Sequence, residues 1–473
     1  MESNINNSVN LEENEYITTP SMKASLNDGA SHASMLGFGE SYLGAFGIFL
    51  KATTLQVGLL ATLPQLFGAI MQWVGAINMD RLRSRRKAVC LGAFIQGLSF
   101  IPMAFLPFLF KSGNLLIFSL LLLMMIYHGA NGSVVPSWNS LIGDLVHSKI
   151  RGRFFGRRNM LTGLSTFISL ILGGLILDFF DKRRMSGIGF MIIFFAAFIA
   201  RSNSVRWLKR YDDPAFHISE DQVFSFRQFL RRSPYSNFAK FVFFVGMINF
   251  GVAFSGPYFA LYMLRDLQFT YIEFTLVIAV STVTQFLTFR YWGDISDRFG
   301  NKKILNLCGW GIGLVPMLWL LSSNIFYLMV IQVYGGLIWS GFSLATANFL
   351  FDAVTPPKRA RCVAYQGLVN GVFIFLGSLM GGYVAGHLPR SIPLGFFTWE
   401  PAFMLPVVFL ISGFIRLGAA LIFLKKFREV RPVEPISHGE LIFRVSHIKP
   451  IAGATFSLIT GLFQDHKEKE KNK

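Results

Sequence analysis

Charge is what this chain lacks most. Asp, Glu, Lys and Arg together make up 15% of its 473 residues, against 52% apolar residues. With a mean hydropathy of +0.48, there are too few polar side chains to cover a water-soluble protein of this length. The balance is that of a polytopic membrane protein. Cysteine is also scarce: Cys90, Cys308 and Cys362 are the whole complement. All three fall near cytoplasmic helix ends in the topology derived below, which implies a partner for none of them, so no disulfide is expected. No Gly-x-x-x-x-Gly-Lys-Ser/Thr loop occurs, which argues against an ATP-driven pump, and no His/Cys spacing suits a metal. No enzyme constellation, metal or cofactor is therefore expected. An apolar leader is missing too. The first 31 residues are polar, with Glu2, Glu12, Glu13, Glu15 and Asp28 against Lys23, and read as a disordered tail.

What the chain has instead is long apolar runs. A bilayer core takes about 20 apolar residues per helix. Twelve such spans are expected at 32–50, 55–78, 88–109, 115–140, 159–177, 187–205, 238–263, 271–290, 303–321, 325–350, 362–386 and 401–424. Lys and Arg concentrate in the loops after even-numbered spans, which places those loops and both termini in the cytoplasm. Lys182-Arg183-Arg184 runs against this pattern locally, offset by Asp178 and Asp181. The net charge of +18 is then mainly a topology signal. Its counter-charge is anionic lipid, and no nucleic-acid partner is implied.

The chain also repeats itself. Asp80-Arg81 followed by Arg85-Arg86-Lys87 returns as Asp297-Arg298 followed by Lys302-Lys303, an offset of 217. Thr53 and Gln56 fall on Thr270 and Glu273 at the same offset. At an offset of 208, Asp144, Arg151, Gly163 and Gly173 fall on Asp352, Arg359, Gly371 and Gly381. Two related halves in a membrane protein point to a transporter whose site lies between them. The domains follow: a tail (1–31), a six-helix bundle (32–205), a central cytoplasmic loop (206–237), a second six-helix bundle (238–425) and a cytoplasmic tail (426–473). Within the central loop, Ser219-Glu220-Asp221-Gln222 opens a helix expected to lie on the membrane surface.

The run Gly293-Asp294-Ile295-Ser296-Asp297-Arg298-Phe299-Gly300-Asn301-Lys302-Lys303 resembles the loop signature of the major facilitator superfamily. The first-half copy is degraded, with Ala76 and Arg83 at the two glycine positions. The likeness covers residues 32–425. It also resembles a prokaryotic subgroup through Pro136-Ser137-Trp138-Asn139 and the Arg-Gly-Arg-Phe-Phe-Gly-Arg-Arg-Asn run at 151–159. The resemblance implies an all-α membrane protein of twelve transmembrane helices in two pseudo-symmetric six-helix bundles. It implies that spans 1, 4, 7 and 10 line a cavity. It also implies that the loop charges Asp80, Arg81, Asp144, Arg151, Asp297, Arg298, Asp352 and Arg359 form a cytoplasmic gate. Two departures stand out. Drug antiporters of the superfamily carry Gly-Pro four residues before Gly-Gly in span 5, and here Ser169-Leu170 precede Gly173-Gly174. Many antiporters place Arg four residues before a Gly in span 4, and here His128 precedes Gly132.

Glu40 lies near the middle of span 1. An ionised carboxylate there costs about 2.5–3.5 kcal/mol on insertion scales, so it is a candidate proton-coupling group. His128 is the second, because histidine titrates near neutral pH. Tyr42, Asn131, Trp138, Asn249, Tyr258, Gln332 and Trp339 are candidate cavity residues, with packing through small residues the plainer alternative. Glu273 reads as half of a capping box with Thr270, repeated by Thr53 and Gln56. Arg201 and Arg416 read as structural, their heads reaching the cytoplasmic surface. The sequence thus reads as a monomeric, proton-coupled secondary transporter of a small organic solute, a multi-pass membrane protein that in a prokaryote would reside in the plasma (inner) membrane. Export of lipophilic compounds is the alternative within transport, and a non-transporting sensor or lipid-handling protein is the alternative outside it.

Overall fold

A computed structural model describes residues 19–78, 84–109, 113–146, 151–214, 236–354, 359–388, 392–394, 397–399, 403–430 and 433. The surface helix expected at 219–232 and nearly all of the tail after 430 lie outside the described residues, as do Asp80 and Arg81.

Twelve passages run through the structure. Span 1 is Pro20–Phe38, a 3-10 turn at Glu40–Tyr42, and Leu43–Phe49. Span 2 is Thr54–Ile77. Span 3 is Arg85–Leu98 continued by Phe100–Leu109. Spans 4, 5 and 6 are Asn114–Leu145, Arg151–Asp181 and Ser186–Leu208. Span 7 is Asn237–Leu261, ending in a π turn at Tyr262–Asp266. Spans 8 to 12 are Tyr271–Phe299, Asn301–Leu318, Ile325–Ala353, Arg359–His387 and Leu405–Phe423. Ten of the twelve contain a helix long and apolar enough to cross a membrane by composition alone. Span 1 falls short because it is broken and polar at its start, and span 9 because it opens on Asn301-Lys302-Lys303. A hairpin of two three-residue strands, Ile392–Leu394 and Phe397–Trp399, precedes span 12.

Span 1 departs from its expected bounds. Its helix begins at Pro20, within the stretch read as a polar tail. Proline at the first helical position is favourable, since its missing N–H needs no partner there. Ser21, Ala24, Ser25 and Asp28 share one helical face and are buried, because spans 5 and 6 cover that face. Small and hydroxylic residues at that spacing bury as well as larger apolar ones, but they do not raise hydropathy.

The N-termini of spans 2 and 8 are capped as the repeat predicts. Thr53 accepts from the Gln56 N–H while Gln56 accepts from the Thr53 N–H, and Thr270 and Glu273 do the same. Each box satisfies two backbone donors that the membrane would leave bare. Helices approach closely where glycines meet. A Cβ added at Gly132 would lie 2.0 Å from the Gly68 carbonyl oxygen, which fixes the crossing of spans 4 and 2. In the second half, Gly377 and Gly381 bring span 11 equally close to the Phe250 and Phe254 carbonyls of span 7.

Span 2 packs on span 11, and span 5 on span 8, across the junction of the halves. Polar contacts also join the halves. Tyr42 Oη lies 3.0 Å from Thr275 Oγ1, Ser378 Oγ donates to the Gly58 carbonyl at 3.0 Å, and Arg265 Nη1 donates to Thr54 Oγ1 at 3.3 Å. Phe190 of span 6 meets Tyr271 of span 8 edge-on at 5.7 Å.

Arg201 and Arg416 do not reach the cytoplasmic surface. Both are buried, at 3% exposure. Gly97 and Gly251 make room for their stems. Arg201 Nη1 donates to Ser204 Oγ at 2.8 Å, and Arg416 donates to the Ile312 carbonyl at 3.2 Å and Ser255 Oγ at 2.8 Å. These internal acceptors hold part of each guanidinium within its bundle, while the Nε of each finds no partner among the described residues.

The close crossing and the topology can each be tested. Gly132→Ala pushes a methyl group into a backbone carbonyl and lowers stability by about 1–3 kcal/mol, read as a fall in the unfolding midpoint of purified protein. Gly44→Ala, which meets nothing within 4 Å, leaves the midpoint unchanged. Orientation needs introduced thiols, because Cys308 and Cys362 are buried. In a cysteine-free background, a membrane-impermeant thiol reagent labels Lys182→Cys in intact cells and Lys209→Cys only after permeabilisation. The opposite pattern would reverse the topology.

Candidate functional site

Between the halves lies a cavity of about 210 Å³, lined by Glu40, Leu43 and Gly44 of span 1, Val57, Leu60, Ala61 and Gln65 of span 2, Met124 and His128 of span 4, and Gly256, Pro257 and Ala260 of span 7. Its wall is mainly apolar, and its acidic member is Glu40. The backbone explains how a carboxylate comes to sit there. Span 1 is interrupted at Gly39, where a Cβ would strike the Phe100 ring at 2.4 Å, and a single 3-10 turn carries Glu40 to Tyr42. Short 3-10 stretches inside a helix often mark hinges. With the helix starting at Pro20, Glu40 stands nearer the Phe49 end of span 1 than its middle, on a break rather than on a continuous helix.

Tyr127, buried on span 4, donates its hydroxyl to Glu40 Oε2 at 2.5 Å, and the same oxygen lies 3.4 Å from Met35 Sδ. Its ring meets that of His128 edge-on at 4.9 Å and that of Phe100 at 5.2 Å. A carboxylate, a phenol and an imidazole thus meet within one turn of span 4 and the break in span 1. The bond from Tyr127 gives the Glu40 carboxyl group a partner within an apolar wall. Tyr127 and Gln65 were not among the candidates from sequence. Gln65 carried a signal nonetheless: it is an amide in the middle of an apolar span, beside Pro64.

The other candidate cavity residues are dispersed. Asn131 and Trp138 line a different cavity, inside the first bundle. Tyr42 is buried and donates to the Leu170 carbonyl at 2.5 Å, at one of the two positions where the drug-antiporter pattern would have Gly-Pro. Tyr258 is buried against Gly58 and donates to the Ser378 carbonyl at 3.0 Å. Gln332 donates to the Val277 carbonyl at 3.3 Å, tying span 10 to span 8. Trp339 packs edge-on against Phe342. Asn249 is half-buried in span 7. None of these seven residues is on the wall of the Glu40 cavity.

Of the loop charges, Asp144 accepts from buried Arg85 at 2.7 Å, and Arg85 also donates to Ser140 Oγ and the Pro214 carbonyl. Asp352 accepts from Asn301 Nδ2 at 2.8 Å. Arg298 is exposed beside the Phe299 ring. Arg151 and Arg359 open spans 5 and 11, and Asp297 lies in span 8, with side chains outside the described set.

Compared with known proteins, the chain matches the Major Facilitator Superfamily over residues 19–262 and again over 241–464. It belongs to that superfamily. Its relatives are transporters rather than enzymes. It is 30% identical over 162 residues to the multidrug resistance protein MdtG of Salmonella paratyphi C, covering 33% of this chain and 38% of that one. It is 24% identical over 119 residues to the class B tetracycline resistance protein of Escherichia coli, covering 25% and 29%. The first relatives are matched over less than two-fifths of their length. Among solved structures, the fold resembles a point mutant of the nucleoside transporter NupG, with a TM-score of 0.66, 14% identity and coverage of 87% of this chain and 100% of that one. It also resembles a D-xylose-proton symporter, with a TM-score of 0.62, 14% identity and coverage of 88% and 98%. The protein is thus an integral, multi-pass membrane protein of the Major Facilitator Superfamily.

Proposed function

We propose that this transporter moves a small organic solute by alternating access and couples that movement to protons through Glu40. The observation that carries the reading is the cavity between the halves, whose acidic wall residue, Glu40, is held by Tyr127 and shares the space with His128. A carboxylate in an apolar wall is costly unless it does something. Protonation would weaken the Tyr127 bond, which loses its charge assistance, and let the break at Gly39–Tyr42 readjust. Membrane potential supplies about 2.3 kcal/mol per charge per 100 mV. At 1.36 kcal/mol per tenfold, one proton supports roughly a 50-fold solute gradient. The D-xylose-proton symporter of similar fold is compatible with such coupling. Export of a lipophilic compound is the second reading, favoured by the apolar lining and by the multidrug and tetracycline resistance proteins among the relatives.

The loop charges we assign to the cytoplasmic gate. Arg298→Ala then leaves insertion intact and raises the reactivity, from the cytoplasmic side, of a cysteine placed in the cavity. Unchanged reactivity would limit these charges to setting topology.

Glu40→Gln preserves shape and removes the proton site. In proteoliposomes at matched protein content it abolishes pH-driven accumulation and retains solute exchange, while His128→Ala only shifts the pH optimum or the affinity. Accumulation by Glu40→Gln with the parent's dependence on the proton gradient would remove Glu40 from the mechanism.

A further inference from the structure

The two segments that resemble the prokaryotic subgroup meet in space, away from the Glu40 cavity. Arg158, from the 151–159 run, lies with its guanidinium carbon 4.7 Å from the Trp138 ring centre, from the Pro-Ser-Trp-Asn segment. Both line a second cavity of about 160 Å³ inside the first bundle, together with Asp28, His32, Asn131 and Arg201 and the apolar side chains of Val89, Val134, Val135 and Leu208. His32 lies eight residues before Glu40 on span 1, about 12 Å closer to the cytoplasm at 1.5 Å per residue.

The charges here do not balance. Two guanidinium groups face one carboxylate. Arg158 Nη2 is 3.7 Å from Asp28 Oδ2, a loose pair, and its Nε donates to the Ser25 carbonyl at 3.3 Å. Arg201 makes no ion pair among the described residues. It reaches Asp28 only through Ser204, which donates to Asp28 Oδ1 at 2.6 Å. Tyr211 donates to the other carboxylate oxygen at 3.2 Å. Asp28 is therefore well supplied with donors, whereas Arg201 Nε and His32 Nε2 are buried with no partner. An excess buried positive charge with unused donors is unfavourable unless an anion completes it.

We infer that this inner cavity is a binding site for a small oxyanion, a carboxylate or a phosphate group, held between Arg158 and Arg201 and packed against Trp138. Arginine is suited to this, because its planar donors match the oxygens of such anions. The volume corresponds to about five waters at ~30 Å³ each, enough for an acetate- or phosphate-sized group and too small for a drug-sized molecule. The site does not depend on proton coupling at Glu40.

The test is thermal unfolding of the purified, delipidated full-length protein with acetate or phosphate, against chloride at equal ionic strength and against neutral acetamide. Acetate or phosphate raises the midpoint saturably, and chloride and acetamide do not. Arg158→Gln and Arg201→Gln each weaken the apparent affinity by about tenfold or more, the equivalent of one charge-assisted hydrogen bond; Arg158→Lys loses less. Should an arginine variant not fold, Asn131→Ala and the parent titration carry the test. A midpoint shift seen only with phosphatidylglycerol nanodiscs over phosphatidylcholine ones, and lost in Arg201→Gln, keeps the site and makes its source a lipid headgroup. No anion-specific shift in either format, or shifts undiminished in folded arginine variants, would overturn the inference.

Discussion

Inside a bilayer there is no water to satisfy a polar group, so every donor, acceptor or charge within a span must find its partner in the protein. The helices meet this demand for the backbone, and the capping boxes at Thr53 and Thr270 meet it for two exposed helix ends. The same constraint governs side chains. Tyr127 supplies Glu40, Ser204 and Tyr211 supply Asp28, and Ser255 with the Ile312 carbonyl supplies Arg416. Glycines then set how near the helices come to make such bonds. Gly97 and Gly251 admit the arginine stems, and Gly132 meets Gly68 with no room for a methyl group.

The parts of the fold legible in the sequence were those written in repeated, local chemistry. Apolar runs of bilayer length located the spans, and the offset of 217 residues paired the two capping boxes, which need only three consecutive spacings to form. What was not legible depended on packing from elsewhere in the chain. Asp28 sits in a stretch whose small and hydroxylic residues look like a solvated tail until spans 5 and 6 cover them. Arg201 and Arg416 looked free to extend to the surface because a sequence does not show that Ser204 and Ser255 wait beside them. For the site, Glu40 and His128 were visible as titratable groups in apolar surroundings, and they line one cavity. The remaining candidates were chosen by helix number, yet rotation about each helix axis decides which side chain faces the cavity. Tyr42, Tyr258 and Gln332 accordingly bond into helix seams instead.

The repeat is structural rather than chemical, and that difference bears on mechanism. Both halves bury an arginine in their sixth span, 215 residues apart, yet their surroundings diverge. Arg201 shares its bundle with Asp28, Arg158 and His32, whereas Arg416 rests on a serine and a carbonyl with no ion pair among the described residues. The Glu40 cavity shows the same bias. Its titratable side chains come from spans 1 and 4, and the second half contributes Gly256, Pro257 and Ala260. A proline within span 7 removes one backbone hydrogen bond and favours bending. The division suits alternating access: the first half holds the cavity's titratable groups in a bonded frame, and the second presents an apolar wall with a proline at its bend.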